Sequence, residues 1–82
     1  MGGTEIKEGL LQFHERPNPG RKTKVWTVYT KISIDALGAV IWFTRWRKYT
    51  YESNHDIVYD ENCLREIADF IEQQTKEHKR KK

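Results

Sequence analysis

The spacing of hydrophobic residues changes once along the chain, from an alternating pattern to a helical one. Over residues 24–52, apolar and polar residues alternate, and Val, Ile, Thr and aromatic residues are frequent, which indicates β-strands. Over residues 61–77, apolar residues instead recur at spacings of three and four, the period of an amphipathic helix. The pattern therefore predicts an antiparallel sheet followed by one C-terminal helix.

The alternating region predicts three strands, over residues 24–32, 38–43 and 46–52. A turn is expected in "SIDALG", between the first two strands, and a two-residue turn at Thr44–Arg45, between the last two. The predicted fold class is α+β: a small three-stranded antiparallel sheet with one C-terminal helix packed on one face, in the order β-β-β-α. Because one helix covers one side of a sheet, the other side must be solvated or bound to a partner.

The length of the Thr44–Arg45 turn decides which side chains share a face of the sheet. A two-residue turn, which we favour, places Arg47 across from Trp42 as a cation–π partner. A three-residue turn would instead group Ile41 and Phe43 with the tyrosines of the third strand. With the favoured turn, the helix-facing residues are Val40, Trp42, Tyr49 and Tyr51, and the open face carries Ala39, Ile41, Phe43, Trp46, Lys48 and Thr50.

The helix is expected over about residues 61–77, with Asp60 as its N-cap. Tyr59 precedes the cap and is expected to pack on Leu64 as a hydrophobic staple. The apolar stripe consists of Leu64, Ile67, Ala68 and Ile71, widened by Cys63 and Phe70.

With 82 residues, the chain fits a single domain, which we assign to residues 24–78. Residues 1–23 are interpreted as a partly ordered N-terminal arm because "RPNPG" interrupts regular structure, and residues 79–82 as a basic tail. The start of the chain does not have the layout of a signal peptide, and the lone Cys63 suits a reducing compartment. We therefore predict a cytoplasmic protein without a membrane segment.

Catalytic chemistry is not indicated by the polar residues. His14, His55 and His78 have no spacing typical of a metal or acid–base site, and zinc would require four ligands. Cys63 lies near a helix N-terminus, where thiols can become nucleophilic. It also borders the apolar stripe, and we interpret it as structural. The prediction is a protein that is not an enzyme and that uses no metal or cofactor.

The net charge of +3 conceals a strong separation of charge along the chain. Residues 16–48 carry eight cations and one anion, residues 49–75 carry seven anions and one cation, and residues 76–82 carry five cations and one anion. Basic and aromatic side chains on an open sheet face can contact phosphates and stack on bases. We therefore favour DNA or RNA as the partner. The predicted binding residues are Arg21, Lys22, Lys24, Ile41, Phe43, Arg45, Trp46, Arg47, Lys48, Lys79, Arg80, Lys81 and Lys82.

A protein partner is the alternative. The acidic segment over residues 49–75 would repel a polyanion, and exposed aromatic and basic side chains are also typical of protein interfaces. A free strand edge could in addition pair with a second copy and give a homodimer. Both alternatives remain open from the residues alone.

Two stretches, "LGAVIWFTRWRKYTYE" and "DENCLREIADFIEQ", carry a resemblance to known sequences. They resemble a group of short uncharacterised proteins of bacteria, phages and prophages with the pattern LGxIxWxxxWRxYxF followed by CLxxIAxFI. Tyr51 stands where that group more often has Phe. The resemblance implies a phage or mobile-element origin, in which a protein-binding role would be that of a small inhibitor or adaptor acting on a host enzyme or defence complex.

Overall fold

A computed structural model describes residues 11–30 and 35–80. Its sheet has the strand order β1-β2-β3-β4, and each neighbouring pair is antiparallel. One helix follows the sheet and packs on one of its faces. The elements are β1 (Leu11–Arg16), β2 (Val25–Thr30), β3 (Ala36–Phe43), β4 (Lys48–Ser53) and α1 (Glu61–Arg80).

The prediction of a three-stranded sheet is wrong, because β1 adds a fourth strand. This strand comes from the segment that the sequence analysis assigned to the arm. It alternates as a strand should: Leu11 and Phe13 pack towards the core, while Gln12 and His14 are exposed. With two apolar residues in six, the pattern is weak, and β1 is held by its pairing with β2 and by the stacking of Phe13 on Phe70 of α1. The α+β class is confirmed.

The connection between β1 and β2 contains the segment that the sequence analysis interpreted as a break between arm and domain. Asn18 braces it from within, since its side-chain amide donates to the Thr23 carbonyl at 2.8 Å and its own carbonyl accepts from the Arg21 N–H at 3.2 Å. Gly20 has a φ of 78°, a conformation that glycine adopts without strain. The prolines and the glycine therefore form a hairpin connection within the sheet.

The β3–β4 turn has four residues, Thr44 to Arg47, and the predicted two-residue turn is wrong. The Phe43 carbonyl accepts from the N–H groups of both Trp46 and Arg47, at 3.1 and 2.9 Å. Arg47 has a φ of 58°, which closes the wider turn in the left-handed region. Phe43 consequently pairs with Lys48, and Tyr49, rather than Arg47, lies across from Trp42.

The assignment of residues to the two sheet faces is nevertheless confirmed. The extra two residues shift the β3–β4 pairing by two positions, and a shift by an even number leaves the residues of β3 and β4 on their predicted faces, while Trp46 and Arg47 lie in the turn. Val40 and Tyr49 are buried, and Trp42 and Tyr51 pack against them. The full buried core consists of Leu11, Trp26, Val28, Val40, Tyr49 and Ile67.

A row of ring contacts crosses this core from the β1 edge to the C-terminal end of α1. Its members contact one another by stacking or edge-to-face, the geometries that aromatic pairs prefer, except Trp42 and His78, whose rings are tilted by 48°. The successive centroid distances are 4.0, 5.0, 5.3, 5.1 and 4.6 Å, and the rings belong, in order, to Phe13, Phe70, Trp26, Tyr49, Trp42 and His78.

Gly38, where the second predicted strand and the expected "SIDALG" turn meet, lies inside β3, which begins at Ala36. A β-carbon at this position would be 2.7 Å from the hydroxyl of Tyr51 and would overlap the Glu52 carbonyl. The Tyr51 hydroxyl is 2.6 Å from that of Tyr59. Glycine is therefore required here to make room for a tyrosine that links β4 to the segment before α1.

Helix α1 begins as predicted and extends further than predicted. The Asp60 carboxylate accepts from the Cys63 N–H at 2.9 Å, which confirms Asp60 as the N-cap. The expected staple of Tyr59 on Leu64 is not what holds this end: the Tyr59 hydroxyl donates to the Leu37 carbonyl, and Leu64 is 52% exposed. Within residues 11–30 and 35–80, no helix has the length and apolar content needed to cross a membrane.

The hydrogen bonds of the Asp60 cap should make the stability of the protein depend on pH in the acid range. Its hydrogen bonds from backbone N–H groups, above all that of Cys63, hold the pKa of the carboxyl below its ordinary value. A lowered folded-state pKa stabilises the fold above the unfolded-state pKa of about 3.9, and this contribution is lost as the pH falls further. We expect Asp60→Asn to reduce the loss of stability between pH 5 and the acid limit, as measured by urea denaturation at several pH values. An unchanged acid dependence would contradict this role.

Side chains of α1 also cap backbone groups on both edge strands. The Leu11 N–H of β1 donates to the Glu66 carboxylate at 3.1 Å, and the Tyr49 N–H of β4 donates to the Thr75 hydroxyl at 3.0 Å. The helix thus crosses the sheet diagonally, from β1 near its start to β4 near its end. Each edge strand has one outward-facing amide satisfied by the helix.

Candidate nucleic-acid interface

The topology brings three cationic segments to one end of the molecule. In a four-stranded meander, the β1–β2 connection and the β3–β4 turn lie at the same end of the sheet, and α1 runs back towards that end. Direct contacts confirm the juxtaposition: the Lys24 N–H donates to the Tyr49 hydroxyl at 3.0 Å, and the rings of Trp42 and His78 are 4.6 Å apart. We call this region, formed by residues 16–24, 44–48 and 78–80, the basic end.

The basic end collects most of the predicted cations. Arg45 and Arg47 lie in the β3–β4 turn, and Lys79 lines a cleft together with Arg47 and Trp42. One cation of α1 is partly neutralised, since Arg80 is 3.5 Å from the Glu77 carboxylate. The cations of the basic end are Arg16, Arg21, Lys22, Lys24, Arg45, Arg47, Lys48, Lys79 and Arg80.

Acidic side chains occupy the opposite end of the sheet. The segment from the end of β4 to the first turn of α1 lies there, because the Asn54 N–H donates to the Leu37 carbonyl at the start of β3. The separation of charge along the sequence thus becomes in part a separation between two ends of the fold, while Glu66, Asp69 and Glu72 lie further along α1. The acidic residues of this end are Asp35, Glu52, Asp56, Asp60 and Glu61.

An exposed aromatic pair lies beside the cations of the turn. Trp46 is 62% exposed and Phe43 is 38% exposed, and their rings meet edge to face with centroids 4.7 Å apart. Lys48 pairs with Phe43 across the two strands. Trp46 was expected within a strand and lies in the turn, yet it remains next to Phe43. We call Phe43 and Trp46 the aromatic pair.

Most of the predicted binding residues are brought together, and a few are not. Ile41 lies on the open face of β3 but is half-buried. Arg47 does belong to the basic end, but it lines a cleft with Trp42 and does not lie opposite it as predicted. Lys81 and Lys82 lie outside the described residues.

Two residues of this region were missed by the sequence analysis. Arg16 ends β1 and pairs with Val25, on the open face of the sheet. His78, expected just beyond the end of the helix, lies within α1 and lines a cleft with Lys79 and with Trp42, whose ring is 4.6 Å from its own. The period-two pattern of "LQFHER" was the available signal for Arg16, and the continued helical spacing after Ile71 was the signal for His78.

The described part of the chain contains no grouping of His, Cys, Asp and Glu side chains suited to a metal ion. Burial, followed by the neighbouring Asp60 carboxylate, raises the pKa of the Cys63 thiol, which opposes formation of a nucleophilic thiolate at neutral pH. Burial and the hydrogen bond with Tyr59 likewise hold the pKa of Tyr51 above its ordinary value. These groups have structural surroundings at the acidic end, away from the basic end.

Comparison with known proteins identifies a relative of this chain. Over 69 residues, covering 84% of this chain and 88% of the relative, the sequence is 36% identical to a small phage protein. The relative is the "Uncharacterized 9.3 kDa protein" of Acholeplasma phage L2, and the chain belongs to its family. No family model and no solved structure matches the sequence. The resemblance to short phage proteins is thereby confirmed, while the detailed motif stays a prediction.

Proposed function

We propose that this phage-type protein binds nucleic acid through its basic end. The observation that carries the proposal is the gathering of cations from three separate segments around an exposed aromatic pair. Lysine and arginine side chains placed in this way neutralise backbone phosphates, and the aromatic rings offer apolar surface to sugars and bases.

The acidic end supports a defined orientation on the ligand. A polyanion is attracted to the cations of the turn and repelled by the carboxylates at the other end of the sheet. The protein would therefore bind end-on, with the β3–β4 turn towards the ligand and α1 roughly along the approach direction. This arrangement limits the contact to a few phosphates, so affinity depends on a small number of cations.

The proposal predicts binding with a moderate salt dependence. If about four cations of the basic end neutralise phosphates, the logarithm of the binding constant falls against log salt with a slope of about −3. Fluorescence anisotropy with labelled DNA and RNA at several salt concentrations measures this slope. Absence of binding to either at about 50 mM salt, where phosphate contacts are strong, would refute the proposal.

The Arg47→Gly variant should weaken the binding of nucleic acid without lowering the stability of the fold. Arg47 has a φ of 58°, so glycine relieves backbone strain and keeps stability within about 1 kcal/mol of the parent or slightly above it. Loss of one phosphate contact should weaken binding to all sequences and make the salt slope less steep by about one.

Asp56→Gly is the matched control for Arg47→Gly. Asp56 has nearly the same backbone conformation, with a φ of 59°, but lies at the acidic end. Its replacement should leave the salt slope unchanged. Equal effects of the two glycine variants on the slope would show that the basic end is not the contact surface.

A protein partner is the second candidate, and the aromatic pair favours it as well. Exposed Trp beside Arg is typical of residues that dominate protein interfaces. In a phage setting, the partner would be a host enzyme or defence complex, or a second copy of this chain. If nucleic acid does not bind, Trp46→Ala should reduce capture of a specific host protein, and sedimentation analysis would test the homodimer.

A further inference from the structure

We propose that the aromatic pair is a stacking platform for unpaired bases, and hence that the ligand is single-stranded nucleic acid. This inference rests on the proposed function and names its substrate class. It follows from the geometry of Phe43 and Trp46 and from the position of the neighbouring cations.

The platform is held in place by the backbone and by its own ring contact. Hydrogen bonds from the N–H groups of Trp46 and Arg47 to the Phe43 carbonyl fix the turn. The edge of one ring meets the face of the other at an interplanar angle of 78°, which restricts the Trp46 side chain although it is 62% exposed. A pre-organised ring loses little conformational freedom when a base stacks on it.

The cations are placed to hold a strand whose base lies on this platform. Arg45 and Arg47 flank Trp46 along the turn, and Lys48 pairs with Phe43. Each is exposed, and each lies within a residue or two of an aromatic ring. A nucleotide with its base on Trp46 would therefore have its phosphates close to the cations of the turn.

A duplex fits this surface less well than a single strand. Bases in a duplex are stacked on one another, so an exposed ring at the tip of a turn meets the sugar–phosphate backbone and gains no stacking. Unpaired bases present their faces freely, and stacking on aromatic side chains is the usual way in which proteins bind them. Stacking does not require a particular base, so the expected preference is for strandedness and not for sequence.

The test compares single strands that differ in bases but not in the number of phosphates, and adds a duplex to test strandedness. The ligands are oligothymidine and oligouridine of about 12 nucleotides, within the usual range of site sizes, an abasic strand of the same length, and a matching duplex. We expect both oligonucleotides to bind about 5- to 100-fold more tightly than the abasic strand, as expected for loss of base stacking. A difference between oligothymidine and oligouridine shows whether DNA or RNA is preferred.

Substitutions of Trp46 test whether the tighter binding of strands that carry bases depends on this side chain. Trp46→Ala should weaken binding of oligothymidine by about 5- to 100-fold and leave binding of the abasic strand unchanged, because the two changes remove the same contact. Trp46→Phe should retain part of the affinity. Leu64→Ala is the matched control, since it removes another exposed apolar side chain, 52% exposed, at the acidic end.

The possible results separate this inference from the proposed function. Equal binding of the oligonucleotide, the abasic strand and the duplex, with no effect of Trp46→Ala, would overturn the stacking platform and leave phosphate binding by the basic end intact. Preference for the duplex would overturn it as well. Absence of binding to every ligand would refute the proposed function itself.

Discussion

Trp26→Ala is expected to remove a large part of the free energy that holds the protein folded. Trp26 is 6% exposed and lies at the centre of the aromatic row, with edge-to-face contacts to Tyr49 and Phe70 at 5.3 and 5.0 Å. Its removal leaves a cavity between β2 and α1 that a rigid sheet cannot close. Substitution of a buried Trp by Ala costs about 3–5 kcal/mol, a large part of the roughly 5–15 kcal/mol that stabilises a small domain.

Guanidinium denaturation followed by circular dichroism measures this loss. The matched control is Trp46→Ala, which removes the same side chain from the exposed turn and should change the free energy of unfolding by less than about 0.5 kcal/mol. Similar midpoints for Trp26→Ala and the parent protein would mean that the sheet face covered by α1 is wrongly assigned.

Gly38→Ala should destabilise the protein although it adds only one methyl group. The new carbon would overlap the Glu52 carbonyl and lie 2.7 Å from the Tyr51 hydroxyl. The carbonyl belongs to β4, next to the pair formed by Gly38 and Ser53, so it cannot move without disturbing the strand pairing. Overpacking of this kind costs about 1–3 kcal/mol, measurable as a lower denaturant midpoint.

A double-mutant cycle separates the two contacts of the added methyl group. Tyr51→Ala removes the ring that lies over Gly38, so the combined variant should lose less stability than the sum of the single variants. Recovery should be partial, because the contact with the Glu52 backbone remains. Strict additivity would show that the Tyr51 ring does not restrict the size of residue 38.

The sequence allowed the faces of the sheet to be predicted but not the number of strands. Alternation in β2, β3 and β4 identifies which side chains are buried, and this holds even though the turn is two residues longer than expected. Turn length was not predictable because Arg47 adopts a left-handed conformation that its residue type does not favour. In β1, only Leu11 and Phe13 carry the apolar signal, and Phe13 depends on a ring of α1, 4.0 Å away, for its burial.

The residue types of the candidate site were predictable from the sequence, but their common position in the fold was not. Cations and aromatic residues are visible in the sequence, but Arg16 and Lys79 belong to segments that were interpreted as lying outside the domain. Only the meander order and the return of α1 bring these segments to the turn that contains Trp46. A linear sequence does not contain this proximity, because the contacts that create it join residues far apart in the chain.

The contacts between β1 and α1 join residues far apart in the chain, and this affects folding during synthesis. The hydrogen bond between the Leu11 N–H and the Glu66 carboxylate joins residues 55 positions apart, and Phe13 stacks on Phe70. A nascent chain that ends before α1 has an uncovered apolar sheet face, so folding cannot be completed until the last quarter of the chain has been synthesised. Early termination before α1 should therefore yield an aggregation-prone fragment, because Ile67, Phe70 and Ile71, which cover the core, all belong to this helix.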